Sequence, residues 1–231
     1  MDINQSGTRL VFAGFNNKMI VVNLEDGKVE CEYQEGENRQ IMDVKFDQSD
    51  CVWYLTKDLE YKRLNYFTEK ITFTHKDDKA SDKTIKEINN MIEADETRGH
   101  IYARVTNTKI AEFSCGSNSL CDEFDNLSDE KDASGQEMFV YFFKIFQRRI
   151  FYTESRKQHL KLYDMDNKTI ICTTDFGIWP QLIALSPCAN YVAVCEDKKL
   201  YLGQITTDPT SNEEKTKIQV LKQVDQINEG N

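Results

Sequence analysis

The chain has 231 residues, with 29 basic and 39 acidic side chains for a net charge of −10; 39% of it is hydrophobic and 11% aromatic. That is enough apolar material for a sizeable core, and the acidic balance argues against a general nucleic-acid binder, which needs a basic face to neutralise phosphate. Seven cysteines spread along the chain exclude a small disulfide scaffold; with no cationic, apolar leader at Met1, reduced thiols and a cytoplasmic location are expected.

The first predicted unit reads NQSGTRLVFAGFNNKMIVVNLEDGK, Asn4 to Lys28. Gly7 lies in a turn, Leu10 to Ala13 and Met19 to Leu24 alternate as strands, and Asn16 and Asn17 turn the chain between them. A second unit starts at Ile41: Val44 and Phe46 alternate, Asp47 to Asp50 turns, Val52 to Leu55 follows, and Lys57 and Asp58 lead into Tyr61 to Leu64. His75 to Glu87 is polar and charged and predicts an excursion. Weaker units follow at Met91 to Ser114 and Val140 to Lys168. Between them, Cys115 to Glu137 holds seven acids from Asp122 onward against Lys131 alone, which predicts a flexible acidic loop. The most apolar run, Met138 to Phe146, carries Lys144 and is far short of the roughly 20 residues a spanning helix needs, so no membrane insertion is expected.

The fifth unit, Leu182 to Ile205, is the clearest, with a Ser186 to Asn190 turn and a Tyr191 to Cys195 return. After Ile205 a polar tail, 206–231, offers Ile218, Val220 and Leu221 for one more outer strand, with a short helix as the alternative. The residues ending each third strand, Asn23, Asn65, Ser114, Asp164 and Gln204, are separated by 42, 49, 50 and 40. A period of about 40 to 45 residues with two-residue alternation predicts propeller blades of four short strands. Seven blades of about 40 residues need about 280, so five fit here. Because the pattern opens just before a second strand, the innermost strand of the first unit is expected to be missing. The chain is then expected to be part of a longer protein, with ring closure by the tail as the alternative.

The Ser186-Pro187 turn ahead of Tyr191 to Cys195, the KQHLKLYDMDNK run from Lys157 to Lys168, and IVVNLEDGK ending at Lys28 resemble degenerate WD repeats. The family's Trp-Asp pair is replaced by Val22-Asn23, Leu64-Asn65, Phe113-Ser114, Tyr163-Asp164 and Gly203-Gln204. Gly99-His100 sits in the turn before Ile101 rather than ahead of an innermost strand, so the family's Asp-His-Ser/Thr-Trp network is carried to no residue here. A related propeller family without that network stays open. The resemblance implies an all-β, β-propeller-like fold of about five four-stranded antiparallel blades, in a ring that need not be complete. Residues 1–205 would form the blades, with the acidic insertion at 115–137.

No catalytic constellation emerges. Cys115 and Cys121 are spaced too widely for a structural zinc pair and read as loop thiols, while Cys31, Cys51, Cys172, Cys188 and Cys195 read as small strand hydrophobes. His75, His100 and His159 fall in or beside turns. Asp43 and Asp95 are the acids placed near innermost strands, too few for a metal cage. Ser128-Asp129-Glu130 resembles an acid-directed phosphorylation site, with a solubilising loop the plainer reading. The glycosylation patterns at Asn126 and Asn167 are chance matches under a cytoplasmic expectation. Most aromatics, Trp53, Tyr54 and Tyr61 among them, should pack between blades. Trp179, Tyr66 and Phe67 fall in loops and are the expected partner-contact residues. The reading is a non-enzymatic interaction scaffold or adaptor within a multiprotein assembly, binding other proteins and using no cofactor. The alternatives are a propeller-type metal-dependent hydrolase and a regulatory part of a longer protein.

Overall fold

Short alternating runs rich in valine, isoleucine and aromatic residues fit a pleated, half-buried surface. In the computed structural model all helices and strands among the described residues are strands; described are all residues but 15, 37–38, 77–90, 96–97, 129–130, 137, 197–198, 209–214 and 226–231. Sheet 1 holds β1 (Asp2–Ile3), β2 (Arg9–Ala13), β3 (Lys18–Asn23) and β4 (Val29–Gln34). Sheet 2 holds β5 (Ile41–Phe46), β6 (Val52–Thr56), β7 (Glu60–Asn65) and β8 (Lys70–Lys76). Sheet 3 holds β9 (Ile92–Asp95), β10 (His100–Arg104), β11 (Ile110–Ser114) and β12 (Ser119–Phe124). Sheet 4 holds β13 (Val140–Phe146), β14 (Arg149–Glu154), β15 (His159–Asp164) and β16 (Thr169–Asp175). Sheet 5 holds β17 (Leu182–Leu185), β18 (Tyr191–Glu196), β19 (Lys199–Asp208) and β20 (Lys215–Asp225). All pair antiparallel in chain order. The chain divides into two units, Met1–Asp125 with sheets 1 to 3 and Asn126–Asn231 with sheets 4 and 5.

Two sequence expectations are corrected. The first unit does have its innermost strand, in abbreviated form: Asp2 pairs with Val11 and Ile3 with Leu10. Part of the expected acidic loop is the strand β12, which closes sheet 3 against β11. Its residues SLCDEF are mostly exposed or half-buried, so the strand carries little of the apolar alternation that betrays a buried one, and its acids suit an edge that must not recruit further strands. The excursion expected at His75 to Glu87 lies outside the described residues beyond Lys76, as do Asp129 and Glu130 of the acid-directed site. The tail returns as β20, beside β19.

Burial follows from stacking sheet on sheet. In the first unit Val52 and Tyr54 join Val11, Met19, Val21 and Cys31 of sheet 1 in one cluster. The intervening Trp53 and Leu55 join Ile92, Ile101, Ala103 and Phe113 of sheet 3 in another. That is why β6, VWYLT, is buried at every position: alternate side chains serve opposite faces of a doubly covered sheet. In the second unit Phe151, Leu160 and Leu162 of sheet 4 pack with Ile183, Val192, Val194 and Tyr201 of sheet 5.

The residues that mark the repeat in sequence also mark it in backbone geometry. In all five sheets the pairing of third and fourth strands shifts register just before the marker, between Val21 and Val22, Arg63 and Leu64, Glu112 and Phe113, Leu162 and Tyr163, and Leu202 and Gly203. Such bulges increase local twist. In four sheets the marker's side chain then accepts a backbone N–H two or three residues on. Glu25 N–H donates to Asn23 Oδ1 at 2.8 Å, Thr68 to Asn65 Oδ1 at 3.1 Å, Ser117 to Ser114 Oγ at 3.3 Å, and Asp166 to Asp164 Oδ1 at 2.8 Å. Asn, Ser and Asp are short enough to mimic a backbone turn this way. Four residues past each marker the chain takes a positive φ, at Gly27 (71°), Glu69 (54°), Asn118 (50°) and Lys168 (52°).

Sheet 5 departs from this scheme. Gln204, longer by a methylene, stands inside β19 opposite Gln219, and the ribbon runs on to Asp208 paired with Lys215. Gly203 fills the crowded point of that ribbon, where an added Cβ would lie 2.9 Å from Ile218 Cγ2 and 3.1 Å from Val192 Cγ1. Since a left-handed backbone strains Glu69 and Lys168 but not glycine, Glu69→Gly and Lys168→Gly should each stabilise the fold by roughly 0.5–1 kcal/mol. Higher thermal midpoints for both, with wild-type circular dichroism, are the expected reading; lower midpoints would show that the turns do not control stability.

Candidate functional site

The turn between β7 and β8 is tied by Asn65, and this presents the next two residues differently. Tyr66 is buried at 1% exposure within the cluster between sheets 1 and 2, edge-on to Phe46 at 6.3 Å, while Phe67 is 63% exposed. Tyr66 is therefore a core residue and not the surface contact its loop position predicts. Its role is support: its ring lies 4.2 Å from that of Phe67, centroid to centroid. The Arg9 guanidinium sits 5.4 Å from the Phe67 centroid, within cation–π range. Arg9 Nε donates to Glu30 Oε2 at 2.7 Å, and Arg9 Nη1 lies 3.5 Å from Asp50 Oδ2. Asp50 Oδ1 in turn accepts from Asn4 Nδ2 at 2.9 Å. The hydrogen bond from Arg9 holds the Glu30 carboxyl below its usual range. The result is an exposed phenyl ring on a buried aromatic base, beside an arginine held in place by two acids.

Trp179 is 57% exposed, between the buried Ile178 and Pro180. Its backbone N–H donates to Glu196 Oε1 at 3.1 Å, which fixes the entry to β17. In the same unit a cavity of about 310 Å³ is lined by Phe146, Arg149, Phe151, Cys188, Asn190 and Ile205. Cys188 is exposed in the turn after β17, and hydrogen bonds from the Asn190 backbone and the Ser186 hydroxyl lower its thiol pKa. The thiols are thus redistributed relative to the sequence reading. Cys188 is a loop thiol, whereas Cys115 is buried and burial pushes its thiol up to about 12.

The innermost strands of the first unit were the basis for a hydrolase alternative. Asp43 accepts backbone N–H groups from Val44 (2.9 Å), Met91 (2.8 Å) and Ile92 (3.2 Å). Its carboxylate is a structural link between β5 and the start of sheet 3, committed to amides rather than aimed at a ligand. Burial raises its pKa. Nearby, Lys45 Nζ lies 3.1 Å from Asp2 Oδ1, and Asp2 Oδ2 accepts the Phe46 N–H at 2.9 Å, so these polar groups knit sheets 1 and 2. Among the described residues no group of three or more His, Cys, Asp or Glu side chains is arranged to hold a metal ion. None of the described helices or strands is a helix long and apolar enough to cross a membrane.

Sequence reasoning missed Arg9 and Glu30, which complete the Phe67 surface. They lie 58 and 37 residues from Phe67, and only the pairing of β2, β3 and β4 brings them together. The available signal was the outward parity of Arg9 and Glu30 beside apolar strand neighbours.

No protein-family model matches the chain, and no curated protein matches it in sequence. Its structure is similar to the crystal structure of the Cps50 (Swd1) beta-propeller domain of Myceliophteria thermophila, with a TM-score of 0.70 at 8% sequence identity, over 97% of this chain and 71% of that one. The likeness shows the fold: all-β and β-propeller-like, with about five four-stranded antiparallel blades.

Proposed function

We propose that the protein is a non-enzymatic interaction scaffold or adaptor that binds other proteins within a multiprotein assembly in the cytoplasm. The observation that carries this reading is the exposed Phe67 ring, stacked on buried Tyr66 and flanked by Arg9, which Glu30 and Asp50 hold in place. Aromatic rings and arginines that are already ordered lose little entropy on binding and dominate protein interfaces. The WD-like sequence runs and the beta-propeller neighbour support the same reading, as does the inner-strand carboxylate of Asp43, which backbone amides engage. Trp179 is the second contact proposed, on the other unit.

Native purification with mass spectrometry identifies stoichiometric partners, and titration of the purified partner then tests the surface. Phe67→Ala should weaken that binding by about 30-fold, corresponding to about 2 kcal/mol for an interface anchor, with the melting curve unchanged because the ring is exposed. Unchanged affinity would remove Phe67 from the interface. A chain that copurifies with nothing would sink the scaffold reading itself.

A further inference from the structure

The outer strands β4, β8, β12, β16 and β20 each end their sheet, so one row of their backbone N–H and C=O groups has no ladder partner there. Such an edge recruits another extended strand unless charge opposes it. β4 carries Glu30 and Glu32, β8 Lys70 and Lys76, β12 Asp122 and Glu123, and β20 Lys217 and Lys222. β16 carries no charge from Thr169 to Thr174, and all of those residues but Cys172 are β-branched. Its charges stand at the two ends and differ in sign, with Lys168 just ahead of the strand and Asp175 closing it. Lys168, Thr169, Ile170, Thr173 and Asp175 are exposed.

The bulge in this strand decides how a second strand can align with it. Between Leu162 and Tyr163 the register shifts, and Ile171 is the extra residue on the β16 side. Ile171 and Cys172 both pack against the cluster between sheets 4 and 5, and Thr174 Oγ1 donates to the Ile218 carbonyl oxygen at 3.5 Å on the same side. The exposed Ile170, Thr173 and Asp175 belong to the other face. Alternation therefore reverses at the bulge, and a two-fold axis through it matches faces on both sides. The axis sets Ile171 against Cys172 of the other copy, Ile170 against Thr173, Thr169 against Thr174, and Lys168 against Asp175. Without the extra residue, Lys168 and Asp175 would lie on opposite faces and could not meet across a two-fold.

We infer that the β16 edge pairs antiparallel with the β16 edge of a second copy of this chain, joining two copies of sheet 4 into one continuous sheet. The occupant is the chain itself because the edge is self-complementary: uncharged residues meet along its length, and the opposite charges at its ends meet twice. The contact is isologous and uses up the edge it needs, so it stops at a dimer. A ladder from Thr169 to Thr174 covers far less area than a stable complex does, so association is weak and concentration-dependent. This goes beyond the scaffold reading and does not use the Phe67 surface.

The test is sedimentation velocity over a concentration series. Wild type should pass from monomer to dimer and no further. Lys168→Asp sets acid against acid at both ends of the ladder and Asp175→Lys sets base against base, and each alone should weaken dimerisation by about tenfold. Mixed in equal amounts, the two variants should recover the wild-type affinity as a one-to-one heterodimer, because each end again joins opposite signs. That recovery also shows that both variants are folded. A mixture that associates no more tightly than either variant alone, single variants that dimerise like wild type, or association that runs past the dimer would each overturn the inference. A wild-type chain that stays monomeric throughout would overturn it too, and would leave the edge to a strand of a different protein.

Discussion

Replacing Trp53 with alanine should destabilise the Met1–Asp125 unit by about 3–5 kcal/mol, the range for emptying a large aromatic site in a packed core. The indole is fully buried, with Phe73 at 5.2 Å and Phe113 at 5.7 Å between ring centroids. It has a second role, because Nε1–H donates to Asp47 Oδ2 at 3.1 Å, where Arg63 Nε also donates at 2.7 Å. Arg63 Nη1 continues the chain of contacts to Asn118 Oδ1 at 3.0 Å, so sheets 2 and 3 are joined by a polar thread as well as by the aromatic cluster. Trp53→Phe keeps a ring and leaves Asp47 paired with Arg63, and should cost only about 1 kcal/mol beyond the change in shape. Urea denaturation gives both values. Thiol labelling gives an independent reading, since the buried Cys115 should become reactive in Trp53→Ala and stay silent in Trp53→Phe. Equal losses for the two substitutions would place the stabilisation in the hydrogen bond and not in the ring.

The second large effect lies between sheets 1 and 2. Lys62 Nζ is 2.9 Å from Glu35 Oε1 and 3.2 Å from Glu60 Oε2, with the Lys62 and Glu35 side chains almost wholly buried. The Tyr54 hydroxyl donates to Glu35 Oε2 at 2.5 Å, and Arg39 Nη1 holds Glu60 Oε2 at 2.7 Å. Lys62→Met removes one buried charge and strands the other, which at neutral pH should cost about 3–5 kcal/mol. Burial alone would raise the Glu35 pKa, but the hydrogen bonds from Tyr54 and Lys62 outweigh it and hold the carboxyl below its ordinary 4.5. A carboxylate depressed on folding contributes stability that is fully present above that ordinary value and is lost as pH falls below it. The wild type should therefore weaken progressively below about pH 4.5 through this group. Without Lys62 less opposes the desolvation of the Glu35 carboxylate, so the penalty in Lys62→Met should shrink as the pH is lowered and Glu35 takes up a proton. Glu35→Gln in the Lys62→Met background should recover part of the loss at pH 7. A pH-independent difference between wild type and Lys62→Met would show that packing of the lysine stem, not charge, is what matters.

How much of this could be read beforehand depended on which side of a strand does the work. Strands with a buried face announce themselves, and the VWYLT segment, whose two faces are both covered, is the strongest such signal in the chain. Four of the third-strand markers, Asn23, Asn65, Ser114 and Asp164, were legible because a short polar side chain ties the turn of the outer hairpin. Outer strands were harder: Ser119 to Phe124 has charge on both sides and little apolar rhythm, so it resembles the acidic loop it adjoins. The two-residue β1 is too short to show any period. At the Phe67 surface, composition identified the aromatics but could not separate Tyr66 from Phe67. Their opposite burial is set by the Asn65 turn and by the space Phe46 leaves between two sheets. Arg9 and Glu30 were out of reach, because their nearness to Phe67 comes from strand pairing across tens of residues.

The crowding at Gly203 has a consequence for alignment. The β19–β20 ribbon is the longest among the described residues, and its marker, Gln204, stands inside the strand rather than at its end. A slide of β19 by one residue between β18 and β20 would reverse which of its side chains face sheet 4, and it would also carry Leu202 or Gln204 into the slot that Ile218 and Val192 leave only wide enough for a hydrogen atom. The missing side chain thus serves as an index mark: β19 settles in one position between its two neighbours, and it finds that position by the gap at Gly203.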